Sequence, residues 1–172
     1  MTFEGVEAII LEFADHAHRG QKRKYTGEEY IQHPIAVALE VRKQFPDDSS
    51  MVCAALLHDV LEDTDVDHAQ LRVFLHQQCN SLAAERILKL VVELTDVYTN
   101  EDFEYLNRAE RKLREADRLS SVSYDAQCIK RADIADNSLT INDHDPKFAA
   151  VFNSEKALLL SLMQRKENEQ NA

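Results

Sequence analysis

The sequence predicts an all-α fold in a single domain, on three observations. Only three Gly and three Pro occur in 172 residues, too few for the turns of an all-β chain. Apolar residues recur near a 3.6-residue period instead of alternating. The breaks between periodic stretches carry helix-boundary residues, among them His-Pro and Asp-Pro pairs. A length of 172 residues suits one domain with a core of its own. The expected architecture is a bundle of about eight helices over 1–172, with a polar tail from about residue 167.

Apolar residues at 6, 9, 10, 13 and 17 predict a first helix from Phe3 to about Arg19. Gly20 and Gly27 bracket a loop, and His33-Pro34 opens a second helix, since Pro is favoured at the first helical position. That helix ends near Phe45-Pro46. Ser49 or Ser50 can cap a third helix, which carries "LLHDVLEDT" (56–64). Asp67 caps a fourth through about Cys79, and Ser81 starts a fifth reaching about Thr95. "FEYLNRAERKLREADRL" (103–119) and Tyr124 to about Ile141 predict two more. Asp145-Pro146 opens the last, to about Lys166.

Charge and cysteine content exclude several classes of function. A net charge of −11 speaks against a nucleic-acid polymer as partner, which calls for a basic surface. No apolar run approaches the roughly 20 residues of a membrane span, and the acidic N-terminus lacks the basic region of a secretory signal. Cys53, Cys79 and Cys128 are isolated and form no C-x-x-C pair. That pattern predicts a reducing, cytoplasmic setting.

The chemistry concentrates in "LLHDVLEDT". Four ionisable groups, His58, Asp59, Glu62 and Asp63, sit among leucines and valine, and burying them is costly unless each is compensated. On a continuous helix His58 and Glu62 share one face, and Asp59 and Asp63 the next. One helix cannot complete a metal site, so further ligands must come from elsewhere. His33, at a helix start, and Asp133, in "IKRADIADN" (129–137), are candidates. Taken singly, His33 reads as a capping or surface histidine, Asp133 as a partner for Lys130 or Arg131, and Glu62-Asp63 as a solvated helix end. "QKRK" (21–24) and "ERK" (110–112) read as a basic loop and a charged helix face.

Taken together, these residues resemble the HD-domain phosphohydrolases. The wider pattern resembles the hydrolase domain of the Rel/SpoT enzymes and the stand-alone small alarmone hydrolases. "AHRGQKRKYTGEEYIQHPIAVA" (17–38), "AALLHDVLEDTDV" (54–66), "LTD" (94–96), "ERK" and "IKRADIADN" occur in the family's order across about 120 of 172 residues. The resemblance implies one Mn²⁺ held by His33, His58, Asp59 and Asp133, a donor mix that suits a borderline divalent ion. It implies catalytic roles for Glu62 and Asp63 in moving protons at the attacking water or the leaving oxygen. It implies that Arg23 and Lys24 lie beside a guanine, that Asn137 contacts the nucleotide, and that Arg111 and Lys112 offer charge to a pyrophosphate. The implied reaction is removal of the 3′-pyrophosphate of (p)ppGpp to give GDP or GTP, without the synthetase activity of long family members. Glu29, Arg131 and Asp136 depart from the family's usual Pro, Leu and Tyr or His. The alternatives are an HD phosphohydrolase for another nucleotide, such as a 5′-nucleotidase or NADPH phosphatase, and a nucleotide-binding or partner-binding helical module without turnover.

Overall fold

The core is built on one helix with no solvent face. α3 (Ser49–Leu57) buries every residue from Met51 to Leu57, because "MVCAALL" offers no polar side chain at any angle around the axis. α1 (Val6–Ala17), α2 (Gln32–Gln44), α6 (Ser81–Leu94) and α8 (Tyr124–His144) pack against it. α5 (His68–Gln78) lies on α6 and stacks Phe74 on Phe13 of α1, with ring centroids 3.9 Å apart. The side chains of Leu56, Leu57, Leu71 and Leu75 are fully buried, each contributing about 1.5–3 kcal/mol by leaving water. The computed structural model describes residues 2–170, with side chains through Gln164. Among the described residues it is all-α, apart from an isolated bridge between Lys22 and Glu29.

A second, smaller core forms where α7 (Arg108–Leu119) and α9 (Pro146–Gln170) meet α8. It holds Ala116, Leu119, Ile134, Leu159 and Met163. α8 serves both cores. Ala126, Cys128, Ile129 and Ala132 face the first and Ile134 the second, so a 21-residue helix can be apolar on more than one side.

Helix boundaries depart from the expected ones for identifiable reasons. α1 starts at Val6, three residues late, after Gly5 in the positive-φ region. α2 starts at Gln32, so Pro34 is its third residue. It costs no hydrogen bond there, because the first four helical N–H groups have no partner within the helix. Asp48, not Ser49 or Ser50, caps α3 by accepting from the Met51 N–H at 3.1 Å. α5 starts behind Asp67 as expected, in a capping box with Gln70. α7 starts five residues later than Phe103, where Asn107 and Glu110 close a second capping box. α8 runs on to His144, and α9 continues through the stretch expected as a polar tail, to Gln170. The last two residues of that tail lie outside the described residues.

The departure that matters most is inside "LLHDVLEDT". The expected third helix is two: α3 ends at Leu57, and α4 (Val60–Asp63) resumes after a two-residue break at His58 and Asp59. Both break residues keep right-handed helical dihedrals, and the Asp63 N–H still bonds the Asp59 carbonyl at 2.8 Å, so Asp59 and Asp63 stay on one side of the chain as on an unbroken helix. Among the described residues no helix is long and apolar enough to cross a membrane.

Candidate metal centre and nucleotide cleft

Two helices and the α3–α4 break bring the expected ligands together. His33 comes from the first turn of α2, His58 and Asp59 from the break, and Asp133 from α8. His33, His58 and Asp59 each offer a donor atom within 4.8 Å of the others. Asp133 Oδ1 lies 3.1 Å from His33 Nε2 and 3.9 Å from His58 Nε2. Asp59 Oδ2 lies 3.1 Å from His58 Nε2 and 3.6 Å from His33 Nε2. Both histidines are buried.

Each ring has its far nitrogen occupied. His58 Nδ1 donates to the Ala55 carbonyl at 2.8 Å. His33 Nδ1 lies 2.6 Å from Asp136 Oδ2. A proton on Nδ1 leaves the Nε2 lone pair facing the cluster, the arrangement metal-binding histidines use. His58 Nε2 is buried with no hydrogen-bond donor to its lone pair, since the oxygens beside it, Asp59 Oδ2 and Asp133 Oδ1, are themselves acceptors, and leaving such an atom unsatisfied costs about 1–3 kcal/mol. A cation at the cluster would satisfy it. The donors present therefore fit a divalent metal.

Residues 11–141 match the family described as HD domain. The chain belongs to the HD-domain family. A mouse protein named guanosine-3′,5′-bis(diphosphate) 3′-pyrophosphohydrolase MESH1 is 34% identical over 148 residues, covering 83% of this chain and 75% of that protein. An Aquifex aeolicus protein named guanosine-3′,5′-bis(diphosphate) 3′-pyrophosphohydrolase is 42% identical over 86 residues, 50% of this chain and 11% of that protein. The chain thus spans about a tenth of the length of such long bacterial relatives. A solved structure of a metazoan ortholog of SpoT, described as hydrolysing ppGpp, superposes with a TM-score of 0.76 at 25% identity. It covers 95% of this chain and 88% of that one.

The electrostatics of the HD-domain centre call for positive charge. Burial alone would push the Asp133 carboxyl up, yet Lys130 at 2.9 Å and the two histidines hold it well below the usual carboxylate range. Burial is likewise outweighed at Asp59, where His58 holds the carboxyl down at about 2. Burial would lower the His33 imidazole, but bonds to Asp133 and Asp136 win and raise it to about 9. Protonated imidazoles and a bound cation meet the same demand, and only one of them can occupy the space between the rings.

Around the centre, the expected Glu62 and Asp63 behave differently. Glu62 Oε2 accepts from the Asp96 N–H at 3.1 Å. Its surface opens to the cleft, but protein crowds it on the remaining sides. That desolvation, with the Asp96 carboxylate beside it, raises it to about 7. Asp63 Oδ2 lies 2.9 Å from the Tyr30 hydroxyl, which also reaches Asp59 Oδ2 at 2.8 Å. Burial and these two carboxylates keep the phenol protonated. One O–H cannot donate to both carboxylates at once, and Asp63, raised first by burial and then by Asp59, is the one that more readily carries a proton.

A cavity of about 360 Å³ adjoins the centre, lined by residues of α4, α7, α8 and α9. Asp59, Glu62, Asp63 and Asp133 line it, as do Phe148, Phe152 and Leu159, and so do Lys112 and Asn137 of the expected contacts. Asn137 donates to Asp133 Oδ1 at 2.7 Å, and Lys112 donates to Asp96 at 2.9 Å. A smaller cavity of about 150 Å³ shares Tyr30, Asn137 and Ile141 with it and is lined by Arg23 and Lys24. Arg23 is not the solvated loop residue that a basic tract suggests. Its guanidinium is 11% exposed and reaches Asp136, Asn137 and Thr140. Lys24 is exposed and lies over the rings of Tyr25 and Phe148. Arg111 is not brought to either cavity; it bonds the Leu106 carbonyl.

Lys130 pairs with Asp133 at 2.9 Å, the partner the sequence offered for it. Two contributors were not given a role in the sequence: Tyr30 bridges two site carboxylates, and Asp96 ties Glu62 to Lys112. Asp96 is held in turn by Glu115, a buried carboxylate that accepts from the next two backbone N–H groups at 3.1 and 3.0 Å. Tyr30 lies in the 17–38 segment and Asp96 in "LTD", and both segments marked a place without giving these residues a role.

Proposed function

We propose that the protein is a metal-dependent hydrolase that removes the 3′-pyrophosphate of guanosine 3′,5′-bis(diphosphates), with Mn²⁺ as its ion. The convergence of His33, His58, Asp59 and Asp133 beside Glu62, at the wall of a cavity with both charged and apolar lining, carries this reading. The identity to mouse MESH1, over most of both chains, supports the substrate.

His33, His58, Asp59 and Asp133 would hold the ion. When bound, such an ion acts as a Lewis acid and makes water nucleophilic near neutral pH. The remaining work falls to the chain's own residues. Glu62, poised at about 7, can take a proton from the attacking water and return it to the leaving 3′-oxygen, as an acid–base group near the working pH does best. The Asp96 N–H orients its carboxylate. Tyr30 fixes Asp59 and Asp63 relative to each other. Phe148, Phe152 and Leu159 offer apolar faces to a base and exclude water, while Lys112 brings positive charge to phosphate oxygens.

The test is incubation of Mn²⁺-loaded protein with ppGpp and identification of the phosphate product. GDP with pyrophosphate is expected. One observation favours the other-nucleotide reading: Arg23, assigned to the guanine, is already bonded to Asp136. Orthophosphate from another nucleotide, with ppGpp untouched, would move the assignment there.

A further inference from the structure

Asp136 is one of three positions where this chain departs from the family pattern, and a carboxylate facing a polyanionic substrate would repel it. The structure turns it elsewhere. One oxygen, Oδ2, lies 2.6 Å from His33 Nδ1 and 2.9 Å from Arg23 Nη2. Asp133 and Asn137, and Asp136 and Thr140, stand four residues apart on α8, so two adjoining rows of the helix surface carry all four. Arg23 reaches across these rows to Asn137 Oδ1 at 3.2 Å and Thr140 Oγ1 at 3.4 Å.

The two histidines of the centre are therefore anchored differently. His58 Nδ1 meets a neutral backbone carbonyl, whereas His33 Nδ1 meets a carboxylate. A carboxylate fixes the ring's tautomer, locks its rotation and makes the opposite nitrogen a better donor. The Arg23 guanidinium offsets the charge that Asp136 would otherwise leave in a half-buried place. We propose that Asp136 is a positioning residue for this centre: it orients and strengthens His33 as a metal ligand, and Arg23 holds it in place.

The inference rests on the metal reading, and its test uses the metal alone. Titration calorimetry with Mn²⁺ would compare wild type, Asp136→Ala, Asp136→Asn and Arg23→Leu, with circular dichroism confirming that each is folded at the assay temperature. Asp136→Ala should weaken Mn²⁺ binding by about 10–100-fold, the usual effect of removing a ligand's outer partner. Asp136→Asn keeps the shape and one acceptor oxygen without the charge, so its affinity should fall between. Arg23→Leu leaves the carboxylate beside His33 but no longer held, so it should weaken Mn²⁺ binding by less than Asp136→Ala does; wild-type affinity in this variant would remove Arg23 from the proposal. Unchanged affinity in both Asp136 variants overturns the inference while leaving the metal centre standing. So does an Arg23→Leu loss equal to that of Asp136→Ala, which would mark a general packing effect. If the wild type binds no Mn²⁺, the metal centre and this inference fall together.

Discussion

Replacing Lys130 with Met tests how the centre tolerates its carboxylates. Lys130 Nζ lies 2.9 Å from Asp133 Oδ2, with side chains 18% and 7% exposed. Burial disfavours the ammonium, but Asp133 and Asp96 outweigh it and keep the group charged. At that separation and an effective dielectric of ~20, the attraction is ~6 kcal/mol, and desolvation of both ions offsets part of it. Removing one partner of a buried pair leaves the other uncompensated, at about 3–5 kcal/mol. Asp133 still accepts from Asn137 at 2.7 Å and keeps His33 at 3.1 Å, so the lower end applies, about 3 kcal/mol. Met retains most of the buried stem, which isolates the charge. For a domain of this size that loss lowers the melting temperature by about 6–12 °C. Thermal unfolding by circular dichroism in the presence of a chelator, so that no ion stands in for the ammonium, reads it directly. A shift below about 2 °C would refute the claim that Lys130 is what makes a buried Asp133 tolerable.

Asp59→Ala should abolish Mn²⁺ binding and turnover together; calorimetry beside a product assay checks this, and retained binding would remove Asp59 from the ligand set. Glu62→Gln should spare the metal and slow turnover by about 10²-fold or more. Because Glu62 sits at about 7 and the proposed base must be ionised, kcat/KM of the wild type should rise with pH through about 7. The Gln variant should lack that limb, and an unchanged profile would assign the proton to another group. Asn107→Ala removes one half of the capping box that starts α7 and should cost about 1 kcal/mol. An unchanged urea midpoint would show that the helix start does not rest on this box.

The all-α class, the cap at Asp67, the helix opening near His33-Pro34 and the residues of the candidate ligand set were legible in the sequence. The first three depend on neighbours a few positions away, where periodicity and capping act; the ligand set rested on the resemblance to the HD-domain phosphohydrolases. The break at His58 and Asp59 was not, because "LLHDVLED" keeps a helical apolar pattern straight through it. Local propensity favours continuing. Burial of His58 beside the core helix, with its Nδ1 on the Ala55 carbonyl, goes with stopping at Leu57. Arg23, Asp136 and His33 form one hydrogen-bonded unit across more than a hundred residues of chain, and Asp96 meets Glu62 through a backbone N–H that no side-chain pattern can announce. The sequence by itself determined which elements form and which residue types are available for chemistry. Only the packing of α2, α3 and α8 decided which of them share a point in space, because that choice belongs to the burial of distant apolar faces against one another and leaves no trace in local spacing.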